Sequence, residues 1–255
     1  MSEVKIKIEN LYKIFGPRAK EYTNKVKSGI DKDELLAKYN HVLGLDNINL
    51  DIKEQSIQVV MGLSGSGKST LIRHINRLIE PTEGTVLVDG EDITMLNKAD
   101  LLEFRRNKTG MVFQRFALFP HHNILDNVQF GLSIKNLDKS ESKDKAMYWI
   151  EKVGLTGFEN KFPNQLSGGM QQRVGLARAL AIDPDILLMD EAFSALDPLI
   201  RTDMQDQLLD LQKNLKKTII FITHDLDEAL KLGDRIAILN GGKLVQDGNA
   251  EEILL

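Results

Sequence analysis

The stretch Gly62-Leu63-Ser64-Gly65-Ser66-Gly67-Lys68-Ser69-Thr70 decides the fold of this chain. It follows the apolar, β-branched run IQVVM and precedes the helical pattern LIRHINRLI. Strand, glycine-rich turn and helix in this order are the context in which G-x-x-x-x-G-K-[ST] forms a phosphate loop. The glycines let successive backbone N–H groups point at phosphate oxygens, and the helix start adds the positive end of its dipole. The stretch therefore predicts a nucleotide site rather than a plain strand-to-helix turn.

The loop contains two side chains with separate predicted tasks. Lys68 is expected to reach the β- and γ-phosphates, and the Ser69 hydroxyl is expected to ligate Mg²⁺. Backbone N–H groups supply the other phosphate contacts. The predicted nucleotide contacts in the loop are Gly62, Ser64, Gly65, Ser66, Gly67, Lys68, Ser69 and Thr70.

The composition is that of an ordinary soluble globular protein, with 42% hydrophobic and 27% charged residues in 255. The net charge of -4 indicates no basic field for nucleic acid. Absence of cysteine excludes disulfides, cysteine-ligated zinc and thiol catalysis. The N-terminus has no apolar segment typical of a signal peptide, and no apolar run approaches the ~20 residues that span a bilayer. Any link to a membrane is therefore expected to pass through a partner.

Strand and helix patterns predict an α/β fold. The runs ILLMD, TIIFIT and RIAIL are typical of parallel strands buried on both faces, and each precedes a helical pattern. The run HVLGLDNINLDI indicates a strand pair, whereas residues 98–165 are mostly amphipathic helical patterns. We predict one domain over residues 1–255, with a P-loop NTPase core. Its sheet is mostly parallel with an antiparallel β region, and a helical subdomain over approximately residues 98–165 is inserted into it.

Two further N-terminal features bear on the site. Tyr12 and Phe15 precede the phosphate loop, and either aromatic ring could stack on adenine or pack into the sheet edge. Residues 17–41 are polar and predict a surface helix packed on the sheet edge, with a partner-contact element as the second interpretation. Leu35, Leu36 and Tyr39 are predicted to form its apolar stripe.

Two motifs beyond the loop indicate phosphate chemistry. Asp190 and Glu191 follow the run ILLMD, and carboxylates at the carboxyl end of a parallel strand face the ligand crevice of α/β proteins. Asp190 is expected to hold Mg²⁺, and Glu191 to polarise an attacking water. Ser167 precedes Gly168 and Gly169 at a helix start, so it predicts an N-cap and a second anion-binding terminus. The two phosphate-binding elements could share a nucleotide within one chain or across a two-fold dimer.

With these motifs the chain resembles the ATP-binding-cassette (ABC) ATPases over almost its whole length. LSGGMQQR is similar to the family's signature motif, and Gln114 matches its loop glutamine, which senses Mg²⁺ and the transmembrane partner. Asp197 matches the D-loop residue, and His224 matches the switch histidine at the γ-phosphate. Phe15 falls where the family has its adenine-stacking aromatic, which favours it over Tyr12.

Each matched residue also has a plain structural interpretation. Gln114 could be an exposed strand end, and His224 a residue at a helix start. Asp197 before Pro198 is a good N-cap, a role that is compatible with function. His121 and His122 are interpreted as surface residues, because no second ligand cluster lies near them in the sequence.

One branch of the family is especially similar: the ATPases of glycine betaine/proline importers. IENLYKIFG, the long stretch before HVLGL, and DEAFSALDPLIR carry this resemblance. Residues 54–56, Glu-Gln-Ser, lack the glycine usual at that position. Long members continue into a pair of cystathionine-synthase-type regulatory domains, whereas this sequence stops at Leu255, as a short form or a truncated one would.

The resemblance implies an ATP- and Mg²⁺-dependent ATPase of a compatible-solute importer, peripheral at the cytoplasmic face of the cell membrane. It implies a head-to-tail homodimer in which Ser167, Gly168 and Gly169 of one copy cap the γ-phosphate of ATP bound to the other. Permease subunits are expected to dock near Gln114–Phe119, through Phe116, Leu118 and Phe119, and a solute-binding protein only indirectly. The alternatives are an importer for an amino acid or oxyanion, or a soluble ABC protein that acts outside transport.

Overall fold

A computed structural model describes residues 3–114, 117–135 and 137–255. The chain divides into two compact units. The first unit contains the chain up to Leu101 together with Ile222–Leu255, and the second contains Leu102–Phe221. The strands are β1 (Val4–Phe15), β2 (Val42–Lys53), β3 (Ile57–Met61), β4 (Glu83–Val88), β5 (Glu91–Asp92), β6 (Thr109–Phe113), β7 (Ile186–Asp190), β8 (Thr218–Thr223), β9 (Arg235–Asn240) and β10 (Lys243–Gly248).

The helices connect and cover these strands. They are α1 (Thr23–Lys27), α2 (Lys32–Tyr39), α3 (Lys68–Ile75), α4 (Lys98–Asn107), α5 (Ile124–Ile134), α6 (Lys139–Lys152), α7 (Gly168–Ala181), α8 (Pro198–Leu215), α9 (Leu226–Leu232) and α10 (Ala250–Leu254). Within the described ranges, no helix is both long and apolar enough to cross a membrane.

The first unit contains an antiparallel region and a parallel strand pair. The order β2-β1-β4-β5 forms the antiparallel sheet, in which β1 and β2 pair from Val4↔Lys53 to Phe15↔Val42. Strand β3 pairs in parallel with β9, and β9 pairs antiparallel with β10. This arrangement places the carboxyl end of β3, from which the phosphate loop departs, beside the turn that joins β9 to β10.

The second unit combines parallel strands with packed helices. Strands β6 and β7 are parallel, with Phe113 opposite Asp190 at their carboxyl ends. Every residue of β7 and β8 is buried, as the continuous apolar runs predict. Helix α5 packs on α6 and α7. The limits of the predicted helical subdomain, approximately 98–165, remain a prediction; that range includes α4, β6, α5 and α6.

The predicted strand pair over residues 41–52 is wrong, because these residues form the single strand β2. Within this strand, Asn47 adopts a φ of 53°, a backbone conformation that is common in turns. The strand nevertheless continues, because β1 is equally long and offers ladder partners along its whole length, with irregularities in register. Long-range pairing therefore overrides the local turn signal.

The polar insert, residues 17–41, carries helices α1 and α2, and α2 packs on β2 as expected for a surface helix on the sheet edge. Leu35 is fully buried, but Leu36 is 48% exposed, so Leu36 does not belong to the predicted stripe. A helix turns by about 100° per residue, which places Leu35 and Tyr39 on one face and Leu36 beside it. In the turn before β3, Gln55 has a φ of 57°, the left-handed conformation that glycine adopts most easily.

Candidate nucleotide-binding site

The phosphate loop joins the end of β3 to the start of α3, and two glycines determine its path. Gly67 is the N-cap of α3, with a φ of 103°. A Cβ on Gly67 would lie 2.6 Å from the carbonyl oxygen of Gly44, and one on Gly62 would lie 2.2 Å from that of Leu239. Both contacts are closer than any side chain allows. The loop can therefore take this shape only with glycine at these two positions.

The side chain of Lys68, the first residue of α3, folds back into the phosphate loop. Its side chain is 4% exposed, and its Nζ donates hydrogen bonds to the carbonyl oxygens of Gly62 at 2.8 Å and Leu63 at 3.1 Å. Ser66 Oγ is buried and has no hydrogen-bond partner among the residues that the structure describes. A buried ammonium, an unsatisfied hydroxyl and a glycine-lined turn at a helix start match the chemistry of a bound phosphate chain.

In helix α3, the buried side chain of His74 contacts the first turn of the helix, which follows the phosphate loop. Ser69 and Thr70 lie in its first turn, and the imidazole Nδ1 of His74 is 2.7 Å from the carbonyl oxygen of Thr70. The carbonyl only accepts, so Nδ1 carries the proton in this contact. Burial lowers the pKa of His74 to about 4, because the charged imidazolium would lose its hydration. His74 is therefore neutral near pH 7.

Phe15 is held close to the phosphate loop through the backbone of Gly44. A Cβ on Gly44 would lie 2.7 Å from Phe15 Cε2, so the ring rests directly on this glycine, and the carbonyl of Gly44 lies against Gly67. Phe15 is 39% exposed, whereas Tyr12 is 6% exposed in an apolar cluster. Of the two aromatic candidates, only Phe15 thus offers an accessible ring; its stacking on adenine remains a prediction.

Gly44 and Gly242 are site residues that the sequence analysis missed. The Gly242 N–H donates to the carbonyl oxygen of Ser66 at 3.1 Å, and the Asp46 N–H donates to that of Gly242 at 2.8 Å. The β9–β10 turn and β2 therefore brace the phosphate loop. The glycine pair Gly241-Gly242 between two strand patterns was the available signal, but nothing local connected it to residues 62–70.

His224 lies between β8 and α9, in the first unit, and its side chain is exposed. The N-cap of α9 is the next residue, Asp225, whose Oδ1 accepts from the N–H groups of Asp227 and Glu228. The cap role therefore belongs to Asp225. The exposed imidazole of His224 remains the predicted γ-phosphate contact.

The second unit brings Gln114 and Glu191 together. Asp190 ends β7 with its side chain 5% exposed, and Glu191 follows with a φ of 48°. Gln114 Nε2 donates to Glu191 Oε2 at 3.1 Å and to Ser194 Oγ at 3.4 Å. Ser194 Oγ in turn donates to the carbonyl oxygen of Glu191 at 2.8 Å. Ser194, to which the sequence analysis gave no role, thus helps to fix the carboxylate turn.

The predicted γ-phosphate cap begins α7. Ser167 is the N-cap, as predicted, and its Oγ accepts from the Met170 N–H at 3.3 Å. Ser167 and Gly168 are exposed, whereas Gly169 is buried, and a Cβ on it would lie 2.6 Å from Ile200. Asp197 occupies the N-cap position of α8 before Pro198, but in the described chain its side chain makes no capping hydrogen bond.

The predicted docking stretch is described only in part. Phe116 lies outside the described residues, and Leu118 is half-buried. Phe119 is 36% exposed, with its ring centroid 4.5 Å from that of Phe130. The amide of Asn127 accepts from the Phe119 N–H at 2.8 Å and donates to its carbonyl oxygen at 3.2 Å. The stretch is therefore anchored while one face of the aromatic pair stays accessible.

Beside this aromatic pair lies an open groove of about 370 Å³. It is lined by His122, Asp126, Phe130, Lys139 and Lys143, among others. Across the described ranges no group of three or more histidine, aspartate or glutamate side chains could hold a metal ion. His121 is exposed, and His122 is half-buried with its ring centroid 5.4 Å from that of Phe119.

The chain is similar to several known proteins. The ABC transporter family profile matches residues 45–194. The glycine betaine transport ATP-binding protein OpuAA of Bacillus subtilis (strain 168) is 57% identical over 99% of this chain and 60% of its own length. The corresponding ProV protein of Escherichia coli (strain K12), for glycine betaine and proline betaine, is 54% identical over 98% of this chain and 63% of its own length. The chain thus spans less than two thirds of these two relatives.

Two further comparisons extend over most of both proteins. The trimethylamine N-oxide transport system ATP-binding protein TmoW of Pelagibacter ubique (strain HTCC1062) is 50% identical over 100% of this chain and 74% of its own length. A dimeric structure of the ATP-binding cassette MJ0796, bound to ADP and Pi after hydrolysis, is 34% identical. It covers 96% of this chain and 98% of its own, with a TM-score of 0.81. The predicted α/β P-loop NTPase fold is confirmed by this similarity.

Proposed function

The chain belongs to the ABC transporter family, and we propose that it is the ATP-hydrolysing subunit of an importer for glycine betaine and similar compatible solutes. The observation that carries the nucleotide part is the glycine-lined loop closed around the buried ammonium of Lys68. The solute class comes from relatives that are 50–57% identical over nearly the whole chain and are named for betaine or trimethylamine N-oxide transport.

The residues of the two units divide the proposed reaction between them. Lys68 and the loop amides hold the β- and γ-phosphates, while Phe15 holds adenine. Glu191 accepts the proton of the attacking water, and its hydrogen bond from Gln114 orients the carboxylate. His224 contacts the γ-phosphate and steadies the charge that develops there.

The oxygen donors proposed for Mg²⁺ are the Ser69 hydroxyl, the Gln114 amide and the Asp190 carboxylate. These are the hard ligands that Mg²⁺ prefers, and the metal would neutralise phosphate charge when bound. Asp190 is nearly buried at the end of β7, which suits a fixed acidic ligand better than a solvated turn.

A second copy completes the proposed site, because Ser167, Gly168 and Asp197 are exposed and therefore accessible to a nucleotide bound by another chain. Head-to-tail closure places Ser167–Gly169 of one copy on the γ-phosphate of the other. MJ0796, which is similar in fold, was solved as a dimer with ADP and Pi. Closing and reopening of this dimer would drive the permease.

The Glu191→Gln variant tests the proposed reaction. Gln retains the shape of Glu but cannot act as a general base, so ATP persists and bridges two chains. Light scattering with ATP and Mg²⁺ should show a dimer for this variant and mainly monomer for the unmodified chain. Adding Ser167→Arg should return the variant to monomer. A monomer with bound ATP in Glu191→Gln itself would contradict the head-to-tail arrangement.

We propose that permease subunits dock on the groove beside Phe119 and Phe130, so that the chain is peripheral at the cytoplasmic face of the cell membrane. The partial exposure of both rings supports this, because an accessible aromatic pair on an anchored stretch is typical of an interaction site.

Phe119→Glu should uncouple transport and leave the isolated ATPase folded and active. Tyr148→Glu, an exposed aromatic of α6 in the same unit, is the control. Unfolding of Phe119→Glu alone would show that the ring serves the core.

The solute itself is tested in a complex reconstituted with its permease and binding subunits. Glycine betaine should stimulate ATP hydrolysis more strongly than methionine or an oxyanion does. A relative named for methionine import is 42% identical over 88% of this chain, so stimulation by an amino acid alone would move the assignment to that branch. ATP hydrolysis unaffected by any permease would favour a soluble ABC protein.

A further inference from the structure

The insert, residues 17–41, is fastened next to the Phe15 end of β1 by His41. This side chain is 3% exposed, with its Nε2 2.8 Å from the Pro17 carbonyl oxygen and its Nδ1 2.6 Å from that of Tyr39. Its ring centroid is 4.0 Å from that of Tyr22. The two ring nitrogens thus contact backbone carbonyls from both ends of the insert. The start and the end of the insert are thereby joined.

An apolar cluster holds the middle of the insert against the sheet. Val26 of α1 and Leu35 of α2 are buried with Tyr12 and Ile14 of β1 and Leu43 of β2. Ala19, Tyr22, Ile30 and Tyr39 pack around them. Because the Leu35 face of α2 packs against strand β2, the fold determines the direction in which the first residues of α2 project.

Lys32, the first residue of α2, reaches the phosphate loop. Asp31 caps the helix by accepting from the Glu34 N–H at 2.8 Å. Lys32 then donates from Nζ to the carbonyl oxygen of Gly65 at 3.3 Å. Lys38, on the same helix, pairs instead with Glu34. Within residues 3–114, 117–135 and 137–255, Lys32 has no carboxylate at ion-pair distance.

We propose that Lys32 is a nucleotide-binding residue, and that the insert is a part of the nucleotide site. The inference rests on the proposed function, because it assigns a nucleoside triphosphate to the loop. Lys32 holds the carbonyl of Gly65, in the middle of the phosphate loop, whereas Lys68 holds those of Gly62 and Leu63. The Lys32 ammonium holds the loop in shape and adds a second positive charge, after that of Lys68, beside a strongly anionic ligand.

The test is the affinity of the purified chain for a fluorescent ATP analogue, measured at low salt and at about 0.3 M salt. Lys32→Ala should raise the Kd about fivefold at low salt, and the difference should shrink at high salt because exposed charges are screened. Lys32→Arg should bind within about twofold of the unmodified chain, since it keeps the charge. Lys38→Ala, the matched control on the same helix, should bind normally.

Two results would overturn the inference. One is an unchanged Kd and salt dependence for Lys32→Ala while the unmodified chain binds the analogue well. The other is an equal, salt-independent loss in Lys32→Ala and Lys38→Ala with a lower melting temperature, since that would be a stability effect of the helix. Failure of the unmodified chain to bind the analogue would instead contradict the proposed function.

Discussion

The two units present opposite chemistry at their functional ends. The first unit presents cations and backbone dipoles, with Lys68 buried inside a loop braced by Gly44 and Gly242. The second presents oxygen donors, Asp190 and Glu191, with Gln114 on the Glu191 carboxylate. A phosphate chain is bound by the first kind of surface, and water is activated by the second. Nucleotide binding and hydrolysis should therefore be separable by substitution.

The largest expected effect is that of Lys68→Ala, which should damage both functions. The phosphate charge loses its buried counter-ion, so hydrolysis should fall by about a thousandfold or more, about 4 kcal/mol of transition-state stabilisation. Nucleotide binding should weaken as well. Steady-state phosphate release and titration with an ATP analogue check the two effects. Near-normal hydrolysis would show that Lys68 has no part in the mechanism. The contrast between the two units would then fail as well.

Acid should destabilise the first unit through His74. Unfolding raises its pKa from about 4 to about 6.5, so above pH 6.5 both states are neutral and the stability is fully present. As the pH falls from 6.5 to 4 the unfolded chain takes up a proton that the folded chain excludes, which costs up to about 3 kcal/mol. Urea unfolding over this range measures the loss. His74→Gln should flatten the dependence, and the exposed His121→Gln should leave it unchanged.

In the second unit, Gln114→Ala should slow hydrolysis and spare binding. Glu191 would lose the hydrogen bond that orients it, and we expect a decrease in kcat of about thirtyfold, or about 2 kcal/mol. The Kd for the ATP analogue should stay within about twofold in the absence of Mg²⁺. A Kd that rises as much as kcat falls would show that binding and hydrolysis do not divide between the units.

The smallest of these four effects, again in the first unit, is that of Phe15→Ala on binding. Loss of an adenine-stacking ring should raise the Kd about tenfold, or about 1.4 kcal/mol, with kcat nearly unchanged at saturation. Phe15→Tyr should bind normally. Gly44→Ala should act in the same direction, because its Cβ would displace the ring. If only Tyr12 variants changed the Kd, the adenine assignment would be wrong.

Motifs contained in one short stretch were predictable, because their chemistry and their backbone demands are local. The phosphate loop, the Ser167 cap and the buried strands β7 and β8 lie where the sequence analysis placed them. The continuity of strand β2 and the exposure of Leu36 on α2 were not predictable from local patterns. The first depends on pairing with β1, and the second on the direction in which α2 packs.

By itself, the sequence determined the α/β fold, the order of the motifs and the residue types that phosphate chemistry needs, since each follows from spacing along the chain. Only the tertiary structure decided that Phe15 rests on Gly44, that Gln114 donates to Glu191, and that Lys32 reaches Gly65. These contacts join residues that are 29, 77 and 33 positions apart, counting 44 − 15, 191 − 114 and 65 − 32. Strand pairing and helix packing create them, and no local pattern encodes which distant residues they bring together.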